Sequence, residues 1–326
     1  MNIFVRIILI LRIAAIGLML MLTLHNSLNL PSAPKVAHFI KSGYSLTWRQ
    51  QKLIVKLSSA RENLVLLPPL TGKERLVECL AKSPVMLVCL SPDMGEDHIR
   101  FWADVCLQAG KPLYLSLKGS PQMPHKVFPW GWYMKRSLDW LVAALLVMLL
   151  SPLFLGLALL VKSSSPGPIF FQQWRVGERG KLFRIIKFRT MQANAEQLHH
   201  QVMQNQAGLH KLQQDPRVTP IGYWLRKYSL DELPQLFNVL RGEMSLVGPR
   251  PWALYDAIRI TPDLRHRLKA LPGITGAWQV AARSTVVDLN LVNSCDLKYL
   301  STWSLGQDLK FLMLTIPKVL TGFGAY

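Results

Sequence analysis

The chain has 326 residues, with 38 Lys and Arg against 19 Asp and Glu and a formal net charge of +19. Half of the residues are hydrophobic and only 17% are charged, a balance that argues against a soluble nucleic-acid binder and for anionic partners at a membrane, namely phosphates and membrane lipids. The four cysteines, Cys79, Cys89, Cys106 and Cys295, lack C-x-x-C spacing and paired histidines, so neither a zinc site nor a disulfide framework is expected.

Residues Asn2 to Leu24 are nearly all apolar, interrupted by Arg6 and Arg12. No small-residue cleavage site follows, so residues 1–30 are read as a retained N-terminal membrane segment, its topology left open. Between residues 46 and 119 the apolar runs Asn63–Leu67, Val85–Leu90 and Pro112–Leu117 alternate with helical patterns over Gly72–Lys82 and Glu96–Ala109. That alternation predicts a small Rossmann-like α/β unit with a parallel sheet buried on both faces. It contains no G-x-G-x-x-G, and Gly72-Lys73 lacks the upstream glycine of a P-loop, so a structural or regulatory unit is expected rather than a nucleotide site. Residues 120–132, opening on Ser120-Pro121, read as linker.

The run Leu141–Val161 carries no charge and is long enough to cross a bilayer. Ser151 and Pro152 interrupt it near the middle, where proline removes one helical hydrogen bond and serine can occupy a freed carbonyl, so a sharp kink is predicted. Lys135 and Arg136 before the run and Lys162 after it fit two ends that emerge on the same side, but proline kinks also occur in spanning helices, and the residues by themselves favour spanning. Ile169–Val176 and Lys181–Phe188 then bracket Gly177-Glu178-Arg179-Gly180 as a hairpin. Alternation puts Phe183, Ile185, Lys187 and Arg189 on one face and Leu182, Arg184, Ile186 and Phe188 on the other. The polar stretch Gln192–Gln214 carries no motif and reads as helical or disordered, and its His199, His200 and His210 read as solvated rather than as metal ligands.

The stretch Arg226–Pro251, R-K-Y-S-L-D-E-L-P-Q-L-F-N-V-L-R-G-E-M-S-L-V-G-P-R-P, concentrates the chemistry. Ser229 with Glu232 three residues on has capping-box spacing, which predicts a helix starting at Ser229 with Asp231 in its first turn, irregular or kinked at Pro234. A carboxylate at that positive end suits a phosphorylated substrate, although simple capping accounts for the pair on spacing alone. Arg226, Lys227 and Arg241 flank the acids, and Arg250 stands between Pro249 and Pro251. In Leu271–Val280 the glycines permit close backbone approach, to a ligand or in a tight turn. Trp303–Lys310 and an apolar tail, Phe311–Leu320, expected against the membrane, close the chain.

The run D-E-L-P-Q-L-F-N-V-L-R-G-E-M-S-L-V-G-P-R-P, with K-F-R-T-M before it and P-G-I-T-G-A-W-Q-V after it, resembles the bacterial sugar transferase family. These are monotopic polyprenol-phosphate phosphoglycosyl transferases that start exopolysaccharide and O-antigen lipopolysaccharide assembly. The resemblance implies a mainly helical catalytic domain over residues 133–326, with a re-entrant helix over 136–161 broken at Ser151 and Pro152, and a short β-hairpin. It implies transfer of a sugar 1-phosphate from a UDP-sugar to undecaprenyl (polyprenyl) phosphate on the cytoplasmic face of the bacterial inner membrane. Asp231 would attack phosphorus, Glu232 would hold Mg²⁺, and Lys187, Arg226, Arg250 and Asp308 would bind the substrates. Gly306-Gln307 departs from the bulkier residues usual beside that last aspartate. A homodimer is left open. The rival reading is a membrane-bound scaffold or regulator without catalysis, against which the intact Asp231-Glu232 pair argues. A Leloir-type glycosyltransferase would need a larger nucleotide-binding fold and usually an Asp-x-Asp motif, which is absent.

Overall fold

A two-residue turn at Gln50 and Gln51, both at positive φ (44° and 63°), joins strands β1 (Tyr44–Arg49) and β2 (Lys52–Leu57) into an antiparallel hairpin. This is a computed structural model, and it describes residues 44–57, 72–116, 129–192, 195, 215–258, 262–282 and 289–322. The expectations for residues 1–30, the Asn63–Leu67 strand, linker residues 120–128 and the three histidines lie outside the described residues.

Helix α1 (Lys73–Lys82) precedes β3 (Leu87–Leu90), and α2 (Glu96–Gln108) connects β3 to β4 (Leu113–Leu115). The sheet runs β1-β2-β3-β4, with β2, β3 and β4 parallel. The expected all-parallel unit is therefore a mixed sheet. A two-residue connection permits only an antiparallel return, and a pair of glutamines lacks the Asn-Gly or Asp-Gly signal that announces such a turn in sequence.

Helix α3 (Pro129–Leu149) begins inside the stretch read as linker, and α4 (Ser151–Ser164) follows it at a bend of 64°. Among the described residues no single helix is long and apolar enough to cross a membrane, whereas this bent pair passes by length and composition. At the break, Ser151 Oγ donates to the Met148 carbonyl at 2.8 Å. Pro152 sits in the first turn of α4, where its missing N–H has no helical partner to lose. The predicted kink is present. Leu141, Leu145, Met148, Leu149, Leu155 and Leu159 are exposed on the pair.

Strands β5 (Phe170–Val176) and β6 (Leu182–Phe188) form the predicted hairpin. Then come α5 (Pro220–Lys227), α6 (Gln235–Leu240), β7 (Ser245–Val247), β8 (Trp252–Ala253), α7 (Leu254–Ile258) and β9 (Gly273–Thr275), followed by α8 (Ala277–Ala282), α9 (Leu289–Ser301) and α10 (Leu305–Thr321). β8 joins the hairpin in the order β6-β5-β8, and β7 pairs with β9 in parallel.

The hairpin is shared between two apolar cores. Val176 and Leu182 join Trp252, Leu254 and Ala257 in one core with the N-terminal sheet, while Ile185, Ile186 and Phe188 join Phe154, Leu157, Phe237 and Val239 in the other. Both faces of β6 are covered, with Arg184 and Lys187 as isolated half-buried positions among its buried apolar residues. Asp104 on α2 completes the join. Its Oδ1 accepts from Trp174 Nε1 at 3.0 Å and from Arg184 Nη2 at 2.6 Å.

Lys135 and Arg136, expected to flank the apolar run as membrane-side cations, are used inside the protein instead. Arg136 donates to the Met244 and Val239 carbonyls at 2.8 Å each. Lys135 is 4% exposed and donates to the Val247 carbonyl at 3.1 Å. Asp139, one turn further on, accepts from Ser245 Oγ at 2.6 Å. Side chains on one face of α3 thereby tie it to β7, to the residue before that strand and to the end of α6.

Candidate active site

Asp231 and Glu232 lie in a single 3₁₀ turn, Leu230–Glu232, between α5 and α6. The helix predicted to start at Ser229 does not form there. Ser229 adopts the left-handed conformation (φ 53°) and makes no capping bond with its side chain, and Pro234 is the N-cap of α6. The physical reason is Pro234: its ring cannot sit in a helix interior, so the chain turns sharply and restarts at Gln235. A non-glycine residue held at positive φ is strained, and the strain sits two residues before the carboxylate pair.

The pair is buried, Asp231 at 8% and Glu232 at 7% exposure. Lys187 from β6 reaches Glu232 Oε1 at 2.7 Å and Asp231 Oδ2 at 3.9 Å, and Arg250 reaches Glu232 Oε1 at 3.3 Å. Burial pushes the Lys187 ammonium below its usual range, and the charges of Glu232 and Asp231 pull it back up. Arg226, at the end of α5, donates Nε to Thr190 Oγ1 at 2.9 Å. Its guanidinium is likewise lowered by burial and supported by the charge of Asp231. Gly222 is the hinge of that approach, because a Cβ there would lie 2.0 Å from the Thr190 carbonyl oxygen.

Four of the anticipated residues, Lys187, Asp231, Glu232 and Arg250, are thus in mutual ionic contact, with Arg226 beside Asp231. Asp308 is elsewhere. Its carboxylate accepts from Lys135 Nζ at 2.5 Å, Tyr299 OH at 2.6 Å and Trp303 Nε1 at 3.2 Å. These contacts tie α3, α9 and α10 together. Its position on α10 faces the foot of α3, which the linear sequence could not show.

A small pocket opens beside the acids, lined by Arg175, Ile185, Lys187, Glu232, Gln235, Arg250, Pro251, Gly273 and Ile274. The segment carrying Arg250 is held on both sides. Arg175 Nη1 donates to the Pro251 carbonyl at 3.2 Å, and Arg267 Nη2 donates to the Arg250 carbonyl at 2.8 Å. Arg267 lies 4.1 Å over the Trp252 ring and pairs with Asp296 at 2.6 Å, both 1% exposed. The glycines of the 271–280 segment allow this chain to cross the Arg250 segment: a Cβ on Gly273 would lie 2.0 Å from Gly248 N, and one on Gly276 2.1 Å from Gly248 O. Close backbone approach is used, chain against chain.

Asn238 and Arg175 were not singled out from sequence. Asn238, 0% exposed, acts as a piece of false backbone. Its Oδ1 accepts from Ile186 N at 3.0 Å and its Nδ2 donates to the Arg184 carbonyl at 2.8 Å. It therefore locks α6 to the strand that carries Lys187. A lone asparagine inside the apolar run L-F-N-V-L was the available signal, since a buried amide must find partners.

Magnesium sites that serve phosphates take one or two protein carboxylates and complete the shell with water and phosphate oxygens. Two consecutive buried carboxylates suit that pattern. Among the described residues no group of three or more His, Cys, Asp or Glu is placed to cage an ion by itself.

A family model described as bacterial sugar transferase matches residues 130–322. The chain belongs to the bacterial sugar transferase family. It is 42% identical over 213 residues to "Exopolysaccharide production protein ExoY" of Sinorhizobium fredii, covering 63% of this chain and 94% of that protein. It is 46% identical over 200 residues to "UDP-glucose:undecaprenyl-phosphate glucose-1-phosphate transferase" of Caulobacter vibrioides, covering 59% and 72%. Similarity to "Undecaprenyl-phosphate glucose phosphotransferase" of Komagataeibacter xylinus is 34% over 278 residues and takes in 81% of this chain and 49% of that protein. In this sugar transferase every site residue described above falls inside the family-matched stretch, whereas Asp104 and the N-terminal sheet precede it.

Proposed function

We propose that this chain transfers a sugar 1-phosphate from a UDP-sugar to undecaprenyl phosphate through a covalent intermediate on Asp231, the first membrane step of exopolysaccharide or O-antigen synthesis. The observation that carries the reading is the buried Asp231-Glu232 turn set against Lys187, Arg226 and Arg250 at a cavity wall. Both substrates are polyanions, and cations placed before they arrive cancel repulsion without reorganising during reaction.

In the first step an Asp231 carboxylate oxygen forms a bond to the sugar-bearing phosphorus. The bond from that phosphorus to the bridging oxygen breaks, and UMP departs with the oxygen and its electron pair. In the second step a phosphate oxygen of undecaprenyl phosphate bonds to the same phosphorus and the carboxylate of Asp231 leaves, giving undecaprenyl diphosphate sugar. Division into two steps means that the two anionic substrates need not share the site. Lys187 and Arg250 hold Glu232 and face the cavity, and Arg226 steadies the charge of Asp231. Glu232, with Asp231 adjacent, is the carboxylate that would hold Mg²⁺, and the ion would supply charge neutralisation at the diphosphate.

The proposal places the bent pair α3 and α4 as a re-entrant anchor in one leaflet of the bacterial inner membrane, with the site on the cytoplasmic face. Support comes from the 64° break and the exposed leucines on both arms. Cysteines replacing Trp130, 84% exposed, and Ser163 should react with an impermeant reagent from the same face; reaction from opposite faces would rule out re-entry. For the chemistry, the purified protein incubated with a panel of UDP-sugars should release UMP and carry a sugar-phosphate adduct on Asp231 by mass spectrometry. UMP release strictly dependent on acceptor, with no adduct, would overturn the covalent route.

A further inference from the structure

Arg175 is a cation with no anion to answer it. It stands on β5 at the cavity wall; Nη1 goes to the Pro251 carbonyl at 3.2 Å and Nη2 to Gln173 Oε1 at 2.6 Å. Both partners are neutral oxygens. Nε is buried without a partner, and no carboxylate among the described residues lies at ion-pair distance. Holding a partly buried charge without a counter-ion costs free energy, and proteins tolerate this chiefly where a ligand supplies the counter-charge. Burial and the neighbouring Arg250 charge push the guanidinium down to about 10, while Tyr255, Asp256 and Glu232 pull it up from a distance. It remains a cation at neutral pH.

Arg175 and Arg250 line the same pocket as Glu232 and Lys187. A diphosphate whose one phosphorus faces Asp231 would extend its other phosphate toward Arg175 and Arg250.

We infer that Arg175 binds the phosphate that leaves with the nucleoside, forming with Arg250 a two-arginine subsite for the departing UMP. The inference rests on the sugar-nucleotide reading above. Arginine presents several donors in a fixed plane, so one edge can keep the Pro251 carbonyl while the rest turns to phosphate oxygens. Charge on the departing phosphate grows as the bridging bond breaks, and a cation already in place stabilises that charge without rearrangement.

The test is a difference in affinity, measured calorimetrically on the full-length protein in detergent. For Arg175→Gln, affinity for UMP should fall roughly 10- to 100-fold, as expected for loss of a charge-assisted contact, while affinity for uridine stays within about twofold of the parent value. Arg175→Lys, which restores the charge, should recover part of the UMP affinity. Parallel loss of uridine and UMP binding would mean that Arg175 only shapes the cavity, and unchanged UMP binding would remove it from the subsite; either result overturns the inference. If the parent protein ignores uridine nucleotides, the sugar-nucleotide reading fails, and inorganic pyrophosphate becomes the probe. Pyrophosphate binding that is lost in Arg175→Gln would sustain the anion subsite alone. Equal binding in both proteins, or none in the parent, would overturn it.

Discussion

Two buried charge clusters lie within this fold, and they are built on opposite principles. Around the acidic turn, Lys187 and Arg250 pair with Asp231 and Glu232 beside a pocket, and Arg226 and Arg175 add two more cations close by. Around Lys135, one cation meets two carboxylates, Asp139 at 3.7 Å and Asp308 at 2.5 Å. The remaining capacity there is filled by Ser245 Oγ, Leu246 N, Tyr299 OH and Trp303 Nε1. Burial and the Asp308 charge hold the Tyr299 phenol well above its ordinary range, so it stays a donor. The second cluster is closed: every charge is answered by protein. The first carries an excess of positive charge and space to spend it on. A buried cluster whose hydrogen-bonding capacity is filled by the protein ties elements together, whereas one with excess positive charge beside a pocket is prepared for an anion from outside.

The sharpest way to break this comparison is to strike each cluster in turn. Asp231→Asn, nearly isosteric but a far poorer nucleophile, should lower turnover roughly 10³-fold or more while thermal unfolding stays near the parent value. Turnover close to the parent's would take the attacking role away from Asp231. Lys135→Met should instead damage the fold, because it leaves two buried carboxylates without their cation; a loss of about 3–5 kcal/mol in denaturant unfolding is expected. Adding Asp308→Leu should return much of that stability and turnover with it. A double variant that is stable again yet inactive would place Asp308 in the chemistry after all.

Smaller effects probe how the open cluster is held. Asn238→Ala leaves the Ile186 N–H and Arg184 C=O without their partners, so a loss of about 2–4 kcal/mol is expected. Turnover per folded molecule should also fall as Lys187 shifts, and an unchanged kcat would show that the strand needs no such lock. Asp104→Ala, at a partly exposed contact, should cost about 1 kcal/mol by urea midpoint. Its effect should be on cohesion between the N-terminal unit and the β5–β6 hairpin, with UMP release per folded molecule kept within about twofold. A much larger fall would mean that the N-terminal unit sets the geometry of the site.

Much of the candidate site was legible because its signals are local. The Asp231-Glu232 pair, Arg226, Lys187 and Arg250 all lie in dense motifs, and the hairpin and the break at Ser151 and Pro152 follow from turn chemistry and proline geometry. The failures share a cause. The capping-box spacing at Ser229 misled because Pro234 outranks it, so a left-handed turn replaces a helix start. Lys135 and Arg136 looked like membrane flanks because their carbonyl partners lie more than 100 residues away in sequence.

By itself, then, the sequence determined which groups can react and where the chain must turn, since residue chemistry and backbone sterics act within a few positions. The tertiary structure alone decided which charges share a space. It set Arg175 beside Glu232 across the cavity and Asp308 beneath α3. Charge neutralisation is a property of three-dimensional neighbours, and on folding a low-dielectric interior turns such distances into the difference between a ligand site and a tether.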